Sequence, residues 1–443
     1  MVRVAAMMAQ APGQSLPKAA GCWSDLKAAY RLLGNARVEP TAIGVAHRGQ
    51  VWHESMKHPV VLCVQDDTDM RSAKVVGRRH IQHTTLAVLP DGQLLGVLDQ
   101  RWFARPTPAA DETRAQRMGR WRESCVWSDA AQALGPAADG CRLIHVADRA
   151  SDDLNFMAAC DDQGHGFVIR ARHDRRVDDA QDKLWSRLGS APVLGTLTVH
   201  IGEQRTGGRV TRRGRAATVT IRAASVTPDR PWNHPAPGCA PGCAPASAPA
   251  SAPAPRKVHA IYLREPNPPQ DTEPIDWMLL TREPVEHFDD ARRLIGYYQR
   301  RWVIEEWHRV LKEGCRLKQS QLDGANGLQR LAAILSIIAV RLLQLRDLAD
   351  SQISGDTADD PKALQQTTPW IGITLVAALA KTPPEQLTPR LFWRTLALRG
   401  GWPGRTRDGR PGWKVIWRGW YDLTQMARGV ELMQKYPYPT GCG

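Results

Sequence analysis

Tyr298, Arg301, Glu305 and Lys312 lie in the segment Y-Q-R-R-W-V-I-E-E-W-H-R-V-L-K, at offsets of three, seven and fourteen residues from the tyrosine. At about 100° per residue, a single helix would gather the four into one stripe roughly 60° wide. A phenol, a guanidinium, a carboxylate and an ammonium make a poor core stripe. They suit a surface that holds a metal ion beside a phosphate backbone. Two further acids follow short apolar runs: Val60 to Val64 leads into Gln65-Asp66-Asp67-Thr68, and Leu143 to Ala147 leads into Asp148. Each run reads as a buried strand delivering an acid at its C-terminal end. Transfer of a phosphodiester needs an activated water or hydroxyl and a stabilised leaving oxygen. Two divalent ions about 4 Å apart supply both, and Mg²⁺ prefers carboxylate oxygens. Three carboxylates from separate elements, Asp66, Asp148 and Glu305, are a minimal cage for such ions. Taken singly, either strand-end aspartate reads more simply as a cap or turn former.

The elements that must position these groups follow from local pattern. Ser24 to Leu33 reads as a short helix followed by loops. Thr84 to Leu89 and Leu94 to Leu98 flank Pro90-Asp91-Gly92, a hairpin signature. Phe167 to Arg170 continues the strand pattern, so a strand, a hairpin and strands separated by helices predict a mixed α/β sheet. Val193 to Arg222 alternates like β structure around the Gly/Arg-rich turn from Arg205 to Arg215. Pro231 to Pro255 is dominated by Pro, Ala, Ser and Gly and reads as a tether. Trp277 to Leu280 is another apolar strand. Leu328 to Leu348 is an apolar helix expected to pack beneath the stripe. The last hundred residues read as mostly helical to Arg399, then rich in Gly and Trp. Trp413, Trp417 and Trp420 recur at helical spacing and read as a packed face.

With 443 residues, the chain has room for two or three domains. Its 59 Lys plus Arg against 45 Asp plus Glu give a formal charge of +14 and make a polyanion the first partner to consider. The nine cysteines form no C-x-x-C pair and no zinc spacing with histidine, which fits a reducing cytoplasm. Met1 to Ala20 lacks a secretory signal, and Leu331 to Leu345 is too short and too polar to span a bilayer. The expectation is a soluble cytoplasmic protein with no membrane partner. Glu305 and His308 also form Glu-x-x-His, a di-iron spacing, but no partner helix supports that site.

In these residues the chain resembles the DDE transposases of bacterial insertion sequences, in the cut-and-paste branch with the Y-(2)-R-(3)-E-(6)-K signature. Tyr298, Arg301, Glu305 and Lys312 match that spacing without a gap. Further blocks in the same order are V-Q-D-D-T at Asp66, G-V-L-D-Q-R-W-F-A-R-P from Gly96, V-A-D-R-A-S-D from Val146, E-P-V-E from Glu283, A-V-R-L-L-Q-L-R-D from Ala339 and P-G-W-K-V-I-W-R-G-W from Pro411. The likeness spans roughly residues 20 to 425. It implies an RNase H-like core whose catalytic and metal-binding triad is Asp66, Asp148 and Glu305, with two Mg²⁺ ions for which Mn²⁺ can substitute. Members usually carry D-T-T where this chain has D-D-T, so Asp67 competes with Asp66 for the first position. Asp69 and Asp152 take supporting roles. Tyr298, Arg301 and Lys312 would contact phosphates near the transposon end, Trp277 would stack on a flipped base, and Arg170 and Arg172 would grip DNA beside the site.

The implied organisation is a short N-terminal helical DNA-binding remnant (1–55), the first part of the core (56–175), a β-rich insertion domain (176–274, with the Pro/Ala-rich loop at 231–255), the second part of the core (275–348) and a C-terminal helical dimerisation region (349–443). Its partners would be transposon-end DNA, target DNA and a second copy of the chain in a synaptic dimer. Members begin with a further basic helical region before the counterpart of Trp23 to Leu33; here it is expected to be short or missing, because Met1 to Pro17 does not resemble it. The rival expectation is an N-terminally truncated, non-catalytic DNA-binding derivative that inhibits the full-length enzyme. A host nuclease of the same fold is a third.

Overall fold

The computed structural model describes residues 1–72, 80–105, 111–113, 121–178, 182–202, 204–206, 209–229, 256–270, 272–349, 355–368, 370–405, 408 and 411–436. The Pro/Ala-rich tract at 231–255, with Cys239 and Cys243, lies outside the described residues. So do Cys442 and parts of the Gly/Arg-rich turn.

Among the described residues there are eleven strands, most of them apolar and β-branched runs: β1 Val60–Asp69, β2 His80–Val88, β3 Leu94–Ala104, β4 Arg142–Ala147, β5 Gly166–Arg170, β6 Val193–Ile201, β7 Gln204–Thr206, β8 Arg209–Arg212, β9 Arg215–Val226, β10 Val258–Arg264 and β11 Asp276–Thr281. Nine join one sheet in the order β3-β2-β1-β4-β5-β11-β10-β9-β6, and β7 pairs with β8 alone. Strands β1, β4 and β5 are parallel, and β2 and β3 fold back antiparallel as the hairpin. This is the mixed α/β sheet expected, and the β3-β2-β1-β4-β5 half is RNase H-like in its order. After β5, strands β11, β10, β9 and β6 extend that sheet, while β7 and β8 form a two-stranded sheet of their own.

Alternation along the strands sends side chains to two faces. Leu62, Val64, Ile144, Val146 and Val168 join one core cluster with Ile304, Trp307 and the helix Ala325–Leu348. On the opposite face, Ala147, Phe167 and Ile169 pack with Trp127 and Phe156, which come from the helices Cys125–Leu134 and Leu154–Asp162. Among the described residues, Ala325–Leu348 is the one helix long and apolar enough to cross a membrane, yet 78% of its most apolar window is buried inside the protein. Buried polar links tie it to its surroundings. Gln100 Nε2 on β3 donates to Ser336 Oγ at 2.9 Å, and Trp307 Nε1 donates to Ser336 O at 3.3 Å.

The single helix expected to carry the four-residue stripe is in fact three pieces. Helix Phe288–Gln299 ends before Arg300, helix Trp302–Arg309 follows, and Val310–Gly314 winds as a π-helical turn. At the break, the amides of Arg300, Arg301, Val303 and Ile304 each bond to the carbonyl three residues back, so the backbone tightens instead of propagating. Arg300 Nε also donates to Pro90 O at 3.0 Å, drawing the break onto the β2–β3 hairpin.

The first fifty-five residues hold more helix than expected. Helices Val2–Gln10 and Val45–Ser55 flank Trp23–Gly34, and Val4, Met7 and Met8 bury their side chains in the main core. Arg330 of the long helix, itself buried, donates to Leu33 O at 3.0 Å and to Val38 O at 2.5 Å. It thereby satisfies the Leu33 carbonyl at the end of the Trp23–Gly34 helix and ties down the turn that follows at Val38.

The C-terminal helices pack tightly. Trp413 stacks on Trp417 at 5.2 Å, and Trp420 meets Phe392 edge-on at 6.3 Å. Gly400, just past helix Pro389–Arg399, lies against the helix Trp413–Lys435, and a Cβ there would overlap the carbonyl of Val415. Gly400→Val is therefore expected to lower stability by roughly 1–3 kcal/mol or more, because two backbones must separate to admit it. Urea unfolding checks this, and an unchanged midpoint would show that the crossing has slack.

Candidate active site

The ladder between β1 and β4 ends at the pair Val64–Val146. Asp66 and Asp148 each lie two residues beyond that pair, so strand alternation returns both to the face that carries Val64 and Val146. Strand β1 itself runs on to Asp69, paired there only with β2, so Asp66 lies within a strand rather than at its end. Asp67 points the other way, its Oδ1 2.6 Å from His83 Nδ1 on β2. The structure thus sets Asp66, not Asp67, beside Asp148.

Each of the two carboxylates is steadied by local backbone. Asp66 Oδ1 accepts from Asp67 N at 2.9 Å, and Asp148 Oδ1 accepts from Ala150 N at 2.8 Å, capping a short 3₁₀ turn. Burial, and after it the neighbouring charge of Asp148, push the Asp66 carboxyl up to about 7, while Arg301 pulls the other way. Two like charges in a poorly hydrated place disfavour ionisation of one of them.

Glu305 is held differently. Its Oε1 lies 2.6 Å from Arg301 Nη2, one turn back along the chain. Burial works against the charge of Arg301, but Glu305 and Tyr298 outweigh it, with Asp66 adding to the effect, and the guanidinium is held more firmly protonated than usual. Burial raises the Tyr298 phenol against the pull of Arg301 and Arg170. Trp277 meets Tyr298 edge-on at 5.5 Å, and the Arg170 guanidinium lies over the Trp277 ring at 5.5 Å. Tyr298, Arg301, Arg170 and Trp277 therefore form one patch beside the acids. Burial, then Lys318, lowers Lys312, which also feels the charges of Asp69 and Asp66. Arg172 stands apart, with its side chain exposed and its amide donating to Asp152 Oδ2 at 2.7 Å. Asp152 is buried and bonded to Arg172, His173 and Arg175, which makes it an anchor for that loop.

The three acids do not form a ready cage: among the described residues no group of three acids, histidines or cysteines is close enough to hold an ion. The residues nevertheless suit a divalent cation. Thr84 Oγ1, on the residue paired with Asp66, is buried without a hydrogen-bond partner, as are both amide atoms of Gln82 and Nε2 of His308. His308 Nδ1 lies 3.9 Å from Asp66 Oδ2, and burial, reinforced by Lys312, pushes the imidazole down to about 3, so it is neutral. Unpartnered polar atoms around a carboxylate pair fit a hydrated cation with oxygen ligands. The sequence pattern did not single out His83, Gln82 or Thr84. Their signal lay only in the polar residues of H-I-Q-H-T-T, a run buried from Ile81 onward.

Sheet order defines the class of fold, an RNase H-like core, with the paired acids and the flanking cationic patch on one face of it. Two family models match the chain, one described as Transposase DNA-binding over residues 1–38 and one as Transposase DDE domain over residues 130–341. The chain belongs to the DDE transposases. The first match overturns the expectation that Met1 to Pro17 bears no likeness to the family's DNA-binding region; the helix Val2–Gln10, packed into the core, lies inside it. The second match contains Asp148, Tyr298, Arg301, Glu305 and Lys312. Asp66 precedes it, and the case for Asp66 is its place beside Asp148.

Because the Asp66 carboxyl is raised to about 7 from an ordinary value near 3.9, the metal-free fold binds its proton more tightly than the unfolded chain does. The stabilisation from this proton is fully present below about pH 4 and is lost as pH rises through about 7. A divalent ion held by Asp66 would displace the proton. Mn²⁺ affinity is therefore expected to rise about fivefold between pH 6 and 7 and to level off above pH 8. Mn²⁺ titration followed by electron paramagnetic resonance checks this, and a flat profile would contradict the coupling of the two aspartates.

Proposed function

We propose that this transposase cleaves DNA at the ends of its own mobile element and joins the freed ends to target DNA, with Asp66, Asp148 and Glu305 as the triad that holds two Mg²⁺ ions. Mn²⁺ would serve in their place. Bound ions would supply Lewis-acid activation of the attacking oxygen and neutralise charge on the leaving oxygen. The observation that carries this reading is the placement of Asp66 and Asp148 side by side, facing the elements that bear Tyr298, Arg301, Glu305 and Lys312.

The chain's own residues bind and orient. Arg301, Arg170 and Lys312 offer cationic donors to phosphates, and the Arg301 fork suits a bidentate phosphate contact. In the free protein Arg301 is spent on Glu305. A phosphate that draws Arg301 away would release Glu305 toward the aspartates, so DNA binding and assembly of the triad are coupled. Trp277, its ring between Arg170 and Tyr298, offers a face on which an extruded base can stack. Arg172 would reach the same strand from its exposed position.

The family resemblance gives the order of events. Water attack nicks one strand at the element boundary and frees a 3′-hydroxyl. That hydroxyl attacks the opposite strand to form a hairpin, which is reopened before strand transfer. Two copies would act in a synaptic dimer, with the helical C-terminal region as the contact and the N-terminal segment gripping the element end.

The test is cleavage of a labelled duplex carrying the element's terminal repeat, in Mg²⁺, by the native chain and by Glu305→Ala. Nicking at the repeat boundary is expected to fall a thousandfold or more in the variant, on the order of what loss of a charge-stabilising group costs, with DNA affinity within about threefold of native. Equal binding with no cleavage by either protein would sink the enzyme reading and favour a non-catalytic, inhibitory derivative. In the same assay Arg301→Ala is expected to weaken binding of the end and to lower cleavage at saturating DNA, because it takes part in both.

A further inference from the structure

Five polar side chains that the proposed chemistry does not use form a continuous buried chain on the face of the sheet opposite the site. His165 Nε2 donates to Gly135 O at 2.9 Å, at the end of helix Cys125–Leu134. His145 Nε2 donates to His165 Nδ1 at 3.0 Å, and Gln65 Nε2 donates to His145 Nδ1 at 2.5 Å. Gln65 Oε1 then accepts from His83 Nε2 at 3.1 Å, and the 2.6 Å contact between His83 Nδ1 and Asp67 Oδ1 holds a further proton, because neither atom could otherwise donate to the other. The direction is fixed from the far end: the Gly135 carbonyl can only accept and the Gln65 amide nitrogen can only donate. Burial also keeps His145 and His165 neutral, so each has one donor and one acceptor nitrogen. Gln65, His83 and His145 have no solvent exposure, and Trp127 and Phe156 cover the two imidazoles edge-on at 4.7 and 5.7 Å.

Only one end of this chain reaches the functional region, and it does so through Asp67. Adjacent residues on a strand face opposite ways, so a one-residue slip or a local flip of β1 would exchange Asp67 for Asp66. The hazard is real at this place, because β1 has lost its β4 partner beyond Val64 and is paired only with β2. His83 stands directly across from Asp67 in the β1–β2 register. Hydrogen bonds inside the protein are costly to leave unmade, so a histidine anchored through Gln65 and His145 to the backbone resists any motion that frees Asp67.

We propose that His83 is a positioning residue that assigns Asp66, and not its neighbour Asp67, to the metal-holding face, acting through its bond to Asp67 and anchored by the buried chain that ends at Gly135. The inference rests on the reading of Asp66 as a metal ligand. It explains how the chain tolerates two adjacent acids where a single one is needed.

The test is Mn²⁺ binding to the full chain, titrated by electron paramagnetic resonance at a temperature well below unfolding, alongside nicking. His83→Phe is expected to weaken Mn²⁺ binding by about tenfold to a hundredfold, the range seen when a residue orienting a ligand is lost. The double variant His83→Phe with Asp67→Thr is expected to recover to within about threefold of native, since no second acid remains to turn inward. Folded His83→Phe with native Mn²⁺ affinity, while Asp66→Asn loses it, would overturn this inference and leave the triad standing. Native affinity in Asp66→Asn together with loss in Asp67→Asn would overturn the triad assignment itself. Should His83→Phe fail to fold, Asp66→Asn decides alone: if it still binds Mn²⁺ and nicks at native levels, Asp67 can take the position and His83 does not govern the choice.

Discussion

Two carboxylates side by side in a poorly hydrated cleft are the constraint around which the rest of this protein is arranged. Bringing Asp66 and Asp148 together on neighbouring strands stores electrostatic cost that the apolar sheet beneath must offset through burial. In the metal-free protein part of the cost is relieved by a proton held on Asp66 and part by the nearby guanidinium of Arg301. The hydroxyl of Thr84 and the amide of Gln82 lie buried without a protein partner on the same face of the sheet. Such a pair of carboxylates is electrostatically costly on its own, and a bound divalent cation would relieve that cost.

The cationic residues answer this constraint in a graded way. Arg301 lies between Glu305 and the aspartates in its electrostatic reach, and Lys312 sits on a π-helical turn at the other end of the Trp302–Arg309 helix. Tightening of the backbone at Arg300 and widening at Val310 change the helical phase on either side of Glu305. A regular helix would have kept one fixed stripe. The broken one lets Tyr298 pack on Trp277 while Glu305 pairs with Arg301. These irregularities are held by tertiary contacts, chiefly the bond from Arg300 to the hairpin carbonyl and the packing of Trp307 on the long buried helix.

The same long helix organises the remainder. It supports the sheet through Ser336, and through Arg330 it holds the carbonyl end of the segment that matches a transposase DNA-binding family. The segment that matches the DNA-binding family and the sheet face that carries Asp66 and Asp148 are thus docked on one helix. The close crossing at Gly400 ties the C-terminal helices together in a separate cluster rich in tryptophan.

Much of this was legible in the sequence, for reasons that are local. The apolar runs leading into Asp66 and Asp148, the hairpin at Pro90-Asp91-Gly92 and the apolar helix ending at Leu348 all express short-range periodicity, and each forms its element, although β1 runs past Asp66 to Asp69 where its pairing with β2 continues. The ordered blocks around Tyr298, Arg301, Glu305 and Lys312 were enough to indicate the family. What periodicity could not show is anything set by contacts between distant segments. The break at Arg300 depends on a hairpin 210 residues away in sequence. The joining of β9, β10 and β6 to the catalytic sheet depends on the pairing of β11 with β5. The helix Val2–Gln10 has few local signals and is stabilised by burying Val4, Met7 and Met8 in the core. Most plainly, two adjacent aspartates look alike in one dimension. Which of them faces Asp148 was decided by the pleat of β1 against β2 and β4, and by a histidine across the ladder, because only a folded sheet has two sides.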